Sequence, residues 1–144
     1  MQTQLHQRKQ KGFTIIEVLI VLAIAGLIML IVFLAVPQLH RNARNNARNS
    51  EASRVSALIT ECLANRNGVT TSCDNATKIS WASGDFQQFS SVTYSNTMGN
   101  TTDIHFNFGL KCSTDGSSTQ AGTTRDFVVL YQREPAINRC IGSQ

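Results

Sequence analysis

One carboxylate in this sequence stands where a charge is costly. Glu17 heads an apolar run that contains no polar side chain from Val18 to Val36. An ionisable group in a membrane helix costs about 2.5–3.5 kcal/mol at the bilayer centre and marks function by default. Near the membrane edge it can instead snorkel to water. Where such helices pack against one another, a lone carboxylate needs neutralisation or a partner. Five residues earlier, Gly12 closes a polar segment ending in Arg8, Lys9 and Lys11. A peptidase working beside a membrane helix needs accessible backbone, and glycine presents no side chain to obstruct it. Taken alone, Gly12 reads as a loop cap before the helix. With Phe13 and Glu17 in register behind it, cleavage is the better reading.

The elements that position these residues follow from composition. The 144 residues allow one domain with a long element attached. Together with Ile15 and Ile16 the apolar run reaches the roughly 20 residues that cross a bilayer core as a helix. A cleaved secretory signal would have a shorter apolar stretch and a small-x-small site, whereas this run continues into Pro37-Gln38. Basic residues flank it on both sides, with Arg41, Arg44 and Arg48 closely following, so the positive-inside count is almost even. The polar, cysteine-bearing remainder places the amino end inside. The formal charge of +4 falls to +1 without the first twelve residues, so the basicity is mostly that of a targeting segment.

Beyond Pro37 a helical period resumes. Leu39, Ala43, Ala47, Ala52, Val55, Leu58, Ile59, Cys62 and Leu63 form an apolar stripe, with Arg, Asn, Ser and Glu on the other face. Asn65 to Gly68 reads as the stop. A helix from Thr14 to Asn65 would span roughly 75 Å, and Pro37 inside it is expected to kink or loosen it. Asp103 to Cys112 alternates as a strand, with Ile104, Phe106, Phe108, Leu110 and Cys112 on one face. Phe86–Tyr94 and Asp126–Gln132 read as neighbouring strands, and Ser113–Thr124 as an exposed loop. The expected class is α+β, with a long helix whose second half packs on a small antiparallel sheet. The expected segments are a leader over 1–12, an apolar helix over 13–38, its amphipathic continuation over 39–66 and a small β-rich domain over 67–144.

Cys62, Cys73, Cys112 and Cys140 all follow the apolar run and form no C-x-x-C pair. An even count in a small polar domain points to two disulfides in an oxidising compartment, and four cysteines allow three connectivities. His6, His40 and His105 lack metal-ligand spacing, and no cofactor motif or nucleophile–base arrangement stands out, so neither metal nor enzymatic activity is expected. Arg41, Arg44 and Arg48 come without aromatic platforms. They read as a solvated helix face in preference to a contact with DNA or lipid headgroups. The sequons at Asn75 and Asn100 read as incidental.

Residues Lys11-Gly12-Phe13-Thr14-Ile15-Ile16-Glu17-Val18 resemble the class III signal of type IV prepilins and of the related type II secretion pseudopilins. Gly26 and Pro37-Gln38 resemble later landmarks of that family's helix. The resemblance implies cleavage after Gly12 by a prepilin peptidase, N-methylation of Phe13, and a pairing of Glu17 with the Phe13 amine of a neighbouring subunit that sets axial register. It implies a pilin-like fold, and partners that are copies of the chain, the peptidase and methyltransferase, the inner-membrane assembly machinery and the lipid bilayer. The location it implies is the cytoplasmic membrane before assembly and an extracellular pilus afterwards. The preferred pairing is Cys62–Cys73 and Cys112–Cys140, the second resembling the family's habit of pinning its C-terminal region. A filament subunit serving adhesion, twitching motility or DNA uptake is the leading expectation. A secretion pseudopilin comes second and a monomeric membrane-anchored binding module third.

Overall fold

The structure, a computed structural model, describes residues 12–143. The leader up to Lys11, with His6, lies outside the described residues. Helix α1 runs Ile15–Asn65, and the chain divides into two units, one ending at Leu39 and one beginning at His40.

In the first unit, α1 is long and apolar enough to cross a membrane by length and composition. Its apolar side chains, from Ile15 and Ile16 through Phe33 and Leu34, are exposed. Helical geometry persists through Pro37.

In the second unit, α1 buries Asn45, Arg48, Ala52, Val55, Ile59 and Cys62, spaced alternately three and four residues apart. Such a stripe faces one neighbour along its whole length. Its lower part is polar, and Glu51 is buried as well. This corrects the expectation that Arg, Asn and Glu side chains occupy the solvated face: Leu39 is exposed, while Asn45, Arg48 and Glu51 are covered.

Six strands follow: β1 Ser91–Tyr94, β2 Asp103–Phe108, β3 Leu110–Cys112, β4 Thr119–Ala121, β5 Phe127–Arg133 and β6 Ile137–Gly142. The main sheet has order β1-β2-β5-β6, and β3 and β4 form a separate ribbon. The sheet's α1-facing side carries Ile104, Phe106, Val129 and Tyr131, which meet Ala52, Val55 and Ile59 in the core together with Phe86 and Phe89. On the opposite side, Val128, Leu130 and Cys112 form a second, smaller cluster covered by Met98.

The sheet departs from the expected antiparallel arrangement at one edge. β5 is antiparallel to both β2 and β6, but β1 is parallel to β2. Parallel neighbours need a crossover, usually of a dozen residues or more; here Ser95–Thr102 suffices. Gly99 allows it, because a Cβ there would collide with the carbonyl oxygens of Leu130 and Asp103. Gly99→Ala is therefore expected to destabilise the fold by about 1–3 kcal/mol, as overpacking against immovable backbone does. Gly84→Ala, where a Cβ meets nothing within 4 Å, should change stability by less than about 0.5 kcal/mol. Urea unfolding of both variants checks the contrast.

Three strand expectations need correction. The run Asp103–Cys112 breaks at Gly109, whose φ of +75° turns the chain out of β2 and into the β3–β4 ribbon. Phe86–Ser90 is not strand. The amides of Gln87 and Gln88 donate to the Glu51 carboxylate, at 2.9 and 3.0 Å, instead of to a strand neighbour. Within the expected loop Ser113–Thr124 lies β4, paired to β3 through Lys111↔Gln120. β6 was not foreseen, because its Arg, Asn, Cys and Gly residues leave little alternation to detect.

Disulfides join Cys62 to Cys73 and Cys112 to Cys140. The first closes the turn after α1; the second ties β3, the end of the ribbon, to β6. Both brace a domain whose core is small.

Candidate processing and assembly site

Gly12, Phe13 and Thr14 lead into α1. A Cβ on Gly12 would meet nothing within 4 Å, and Phe13 is 85% exposed, so the Gly12–Phe13 peptide is open to an enzyme. The helix start is set by Thr14-Ile15-Ile16-Glu17. The Glu17 amide donates to Thr14 Oγ1 at 3.3 Å, and the Thr14 amide reaches back to Glu17 Oε2 at 3.5 Å. This is a capping box, which satisfies two amides that the first helical turn cannot. Both contacts are long, so the carboxylate is only lightly held. The S/T-x-x-E spacing that signals such a cap is present in the sequence as Thr14-Ile15-Ile16-Glu17. Phe13, Glu17, Val18, Val21 and Leu22 line an open groove that is otherwise apolar. The arrangement offers a cleavable bond, a bulky new amino terminus and one anion on an apolar helix.

A second polar constellation, at the lower end of the core, was missed. Asn45 clasps the backbone of Glu134, accepting from its amide at 2.8 Å and donating to its carbonyl at 3.0 Å. Arg44 reaches the Glu134 carboxylate through two bonds, at 3.1 and 2.8 Å, and Arg48 adds a third at 3.1 Å. Of the three arginines read as a solvated face, Arg41 is exposed, Arg44 is paired and Arg48 is buried. The available signal was the three-four spacing itself, which continues backwards from Ala52 through Arg48 to Asn45.

The bond from Arg44, with help from Arg48, holds the Glu134 carboxyl below its usual range. A depressed carboxyl contributes stability that is complete above the unfolded glutamate value and is lost as pH falls through the folded one. Glu134→Gln should therefore be less stable than the parent at pH 7, and the difference should shrink below about pH 4. Urea titrations across that range would show parallel curves if the pairing contributed nothing.

Of the described histidines, neither His40 nor His105 joins such a grouping. The His105 ring meets Thr97, with Nδ1 at 2.9 Å from Oγ1. Among the described residues no group of His, Cys, Asp and Glu is placed to hold a metal ion.

Residues 7–33 match the family model described as the prokaryotic N-terminal methylation motif. Searches of curated proteins and of solved structures returned no match. The chain thus carries the class III signal of a prepilin-like precursor, the kind that a prepilin peptidase processes, on an α+β fold of pilin-like architecture. The motif marks structural subunits of pilus or pseudopilus type, not an enzyme family, and the apolar helix behind it anchors such a subunit in a membrane before assembly.

Proposed function

We propose that this protein is a type IV pilin subunit. It is cut after Gly12, methylated on the new Phe13 amine, and polymerised by its apolar helix into a surface filament. One observation carries the reading: an open Gly12–Phe13 bond stands four residues before a lightly held carboxylate on a wholly exposed apolar helix. Burial of that helix against copies of itself would remove the apolar surface from water, and Glu17 would pair with a neighbour's Phe13 amine, setting axial register. Pro37 loosens the helix where the apolar run ends. The disulfide-braced domain suits an oxidising exterior, and the polar segments Thr70–Ala76 and Ser113–Thr124 supply its outward contacts.

The test is the intact mass of protein recovered from sheared cell-surface material, with and without reductant. The expected mass lacks Met1 to Gly12, carries one added methyl, and rises by four hydrogens on reduction. A protein that keeps its leader and stays in the membrane fraction would sink the reading and favour an anchored binding module. A processed, methylated protein confined to the periplasm beside secreted cargo would assign it to a secretion pseudopilus.

A further inference from the structure

The chain has one Asn-Gly step, Asn67-Gly68, and the fold places it just past the end of α1. Asn-Gly is the step at which asparagine deamidates most readily, because glycine leaves its own backbone nitrogen unhindered for attack on the preceding side chain. The chemistry needs no enzyme. The Gly68 nitrogen gives up its proton and bonds to Cγ of Asn67. The bond from Cγ to the side-chain nitrogen breaks, and ammonia leaves with that proton. Water then opens the resulting succinimide at either carbonyl, leaving aspartate or isoaspartate and releasing a proton. Asn67 is exposed, and with Gly68 it lines an open cleft of about 390 Å³, so water has access.

The folded turn withholds the nucleophile. Asn67 has a φ of +52° and Gly68 a φ of +79°, and the Gly68 amide donates to the Leu63 carbonyl at 2.7 Å. This is the six-to-one bond of a Schellman motif, with the asparagine at the left-handed position. Deprotonating that amide would leave a negative nitrogen facing a carbonyl oxygen, and closing the five-membered ring would swing it away from Leu63. Both steps require the turn to open first. The Cys62–Cys73 bridge brackets the step on both sides and limits that opening. Inside the bracket the Ser72 and Cys73 amides donate to the carbonyls of Val69 and Thr70, so the segment is bonded through to the second cysteine. Asp115-Gly116 has the same form without the same promise. Its Gly116 amide donates to the Ser113 carbonyl at 2.8 Å. Bonds from Ser113 and Ser117 also hold the Asp115 carboxyl down at about 2, and a carboxylate resists nucleophilic attack.

We propose that Asn67 is a self-modification site, converting to aspartate and isoaspartate only while the turn bracketed by Cys62 and Cys73 is open. A chain whose first bridge has not formed converts, and an oxidised one does not. Isoaspartate adds a methylene to the backbone, which displaces the Gly68 amide from Leu63. Either product also sets a negative charge at the helix C-terminus, where the macrodipole disfavours it. The turn that opened is thereby prevented from closing as before. The inference stands whether or not the chain forms filaments.

The experiment holds the full chain, folded in neutral detergent, at mildly alkaline pH. Peptide mapping by mass spectrometry follows the mass gained at Asn67 as its amide becomes a carboxylate. Asn67→Gln, which would have to close a six-membered ring, should lose the signal. Cys62→Ser/Cys73→Ser should convert about tenfold faster or more, the scale on which a short-loop disulfide restrains its segment. Cys112→Ser/Cys140→Ser, which lacks the other bridge, should match the parent. Circular dichroism checks that each variant is folded. Should the first not fold, the parent itself decides: as guanidinium chloride is raised below the unfolding midpoint, conversion of Asn67 and hydrogen exchange of the Gly68 amide should rise together. A folded, oxidised parent that converts as fast as the unfolded chain overturns the proposal. So does a folded Cys62→Ser/Cys73→Ser that converts no faster than the parent. Equal acceleration in both cysteine variants, or conversion that climbs only at the midpoint, would make global unfolding the gate and overturn it too.

Discussion

Glu17→Gln is expected to insert, fold and be cleaved like the parent, yet to yield almost no filament. Glutamine can occupy the third helical position of a capping box, so the contacts with Thr14 survive and only the charge is lost. Under the proposed function that charge meets the Phe13 amine of a neighbour inside a desolvated helical core. Removing one partner of such a pair costs about 2–5 kcal/mol, much of it the price of leaving the other charge unpaired. The subunit concentration needed for assembly should then rise about 30-fold or more, since 1.4 kcal/mol corresponds to a factor of ten. Quantifying sheared filaments against the total membrane pool reads this directly. Glu17→Leu removes both charge and cap and supplies the contrast. If the glutamine variant assembles normally while leucine does not, helix capping rather than pairing is the role of Glu17. Normal yields from both would leave Glu17 with no part in assembly.

Loss of the Cys112–Cys140 bridge should have the largest effect on the folded domain. The two disulfides close chain segments of 28 and 11 residues. On the loop-entropy relation these contribute about 3.6 and 2.8 kcal/mol respectively. Cys112→Ser/Cys140→Ser should therefore lower the melting temperature by about 15 °C, at roughly 4 °C per kcal/mol for a domain of this size. Cys62→Ser/Cys73→Ser should lower it somewhat less. Packing works in the same direction: Cys112 lies in the small cluster with Val128 and Leu130, away from α1, and the ribbon's other ties to the sheet are mainly backbone hydrogen bonds, such as those from Cys112 to Ser143 and from Cys140 to Gly116. Thermal melts of the full chain in neutral detergent would order the two variants, and an equal or reversed order would show that the ribbon is held by its hydrogen bonds instead.

Local pattern made the first half of the molecule legible. A continuous apolar run can only be a helix in lipid or in a helical core, because backbone groups there must be satisfied within the segment. The motif around Gly12 and Glu17 lies within a few residues, so spacing alone exposes it. The helix end near Asn65 and the alternation of Ile104, Phe106 and Phe108 were readable for the same reason: each is a local periodicity tied to one face. Beyond Phe108 the alternation continued in the sequence, but the strand did not. The φ of Gly109 and its pairing partners redirected the chain, and a glycine's conformation depends on what receives the chain afterwards.

The sequence by itself determined the apolar helix, its processing motif and a small, polar, cysteine-bearing β domain, since these depend on residue type and short-range period. Tertiary structure alone decided the rest. It made β1 a parallel neighbour, placed Glu51 under the amides of Gln87 and Gln88, and turned Asn45, Arg44 and Arg48 inward onto Glu134. A polar residue on a helix reads as solvated until a distant segment brings complementary groups to it. That partner stands some ninety positions along the chain, where no local pattern can register it.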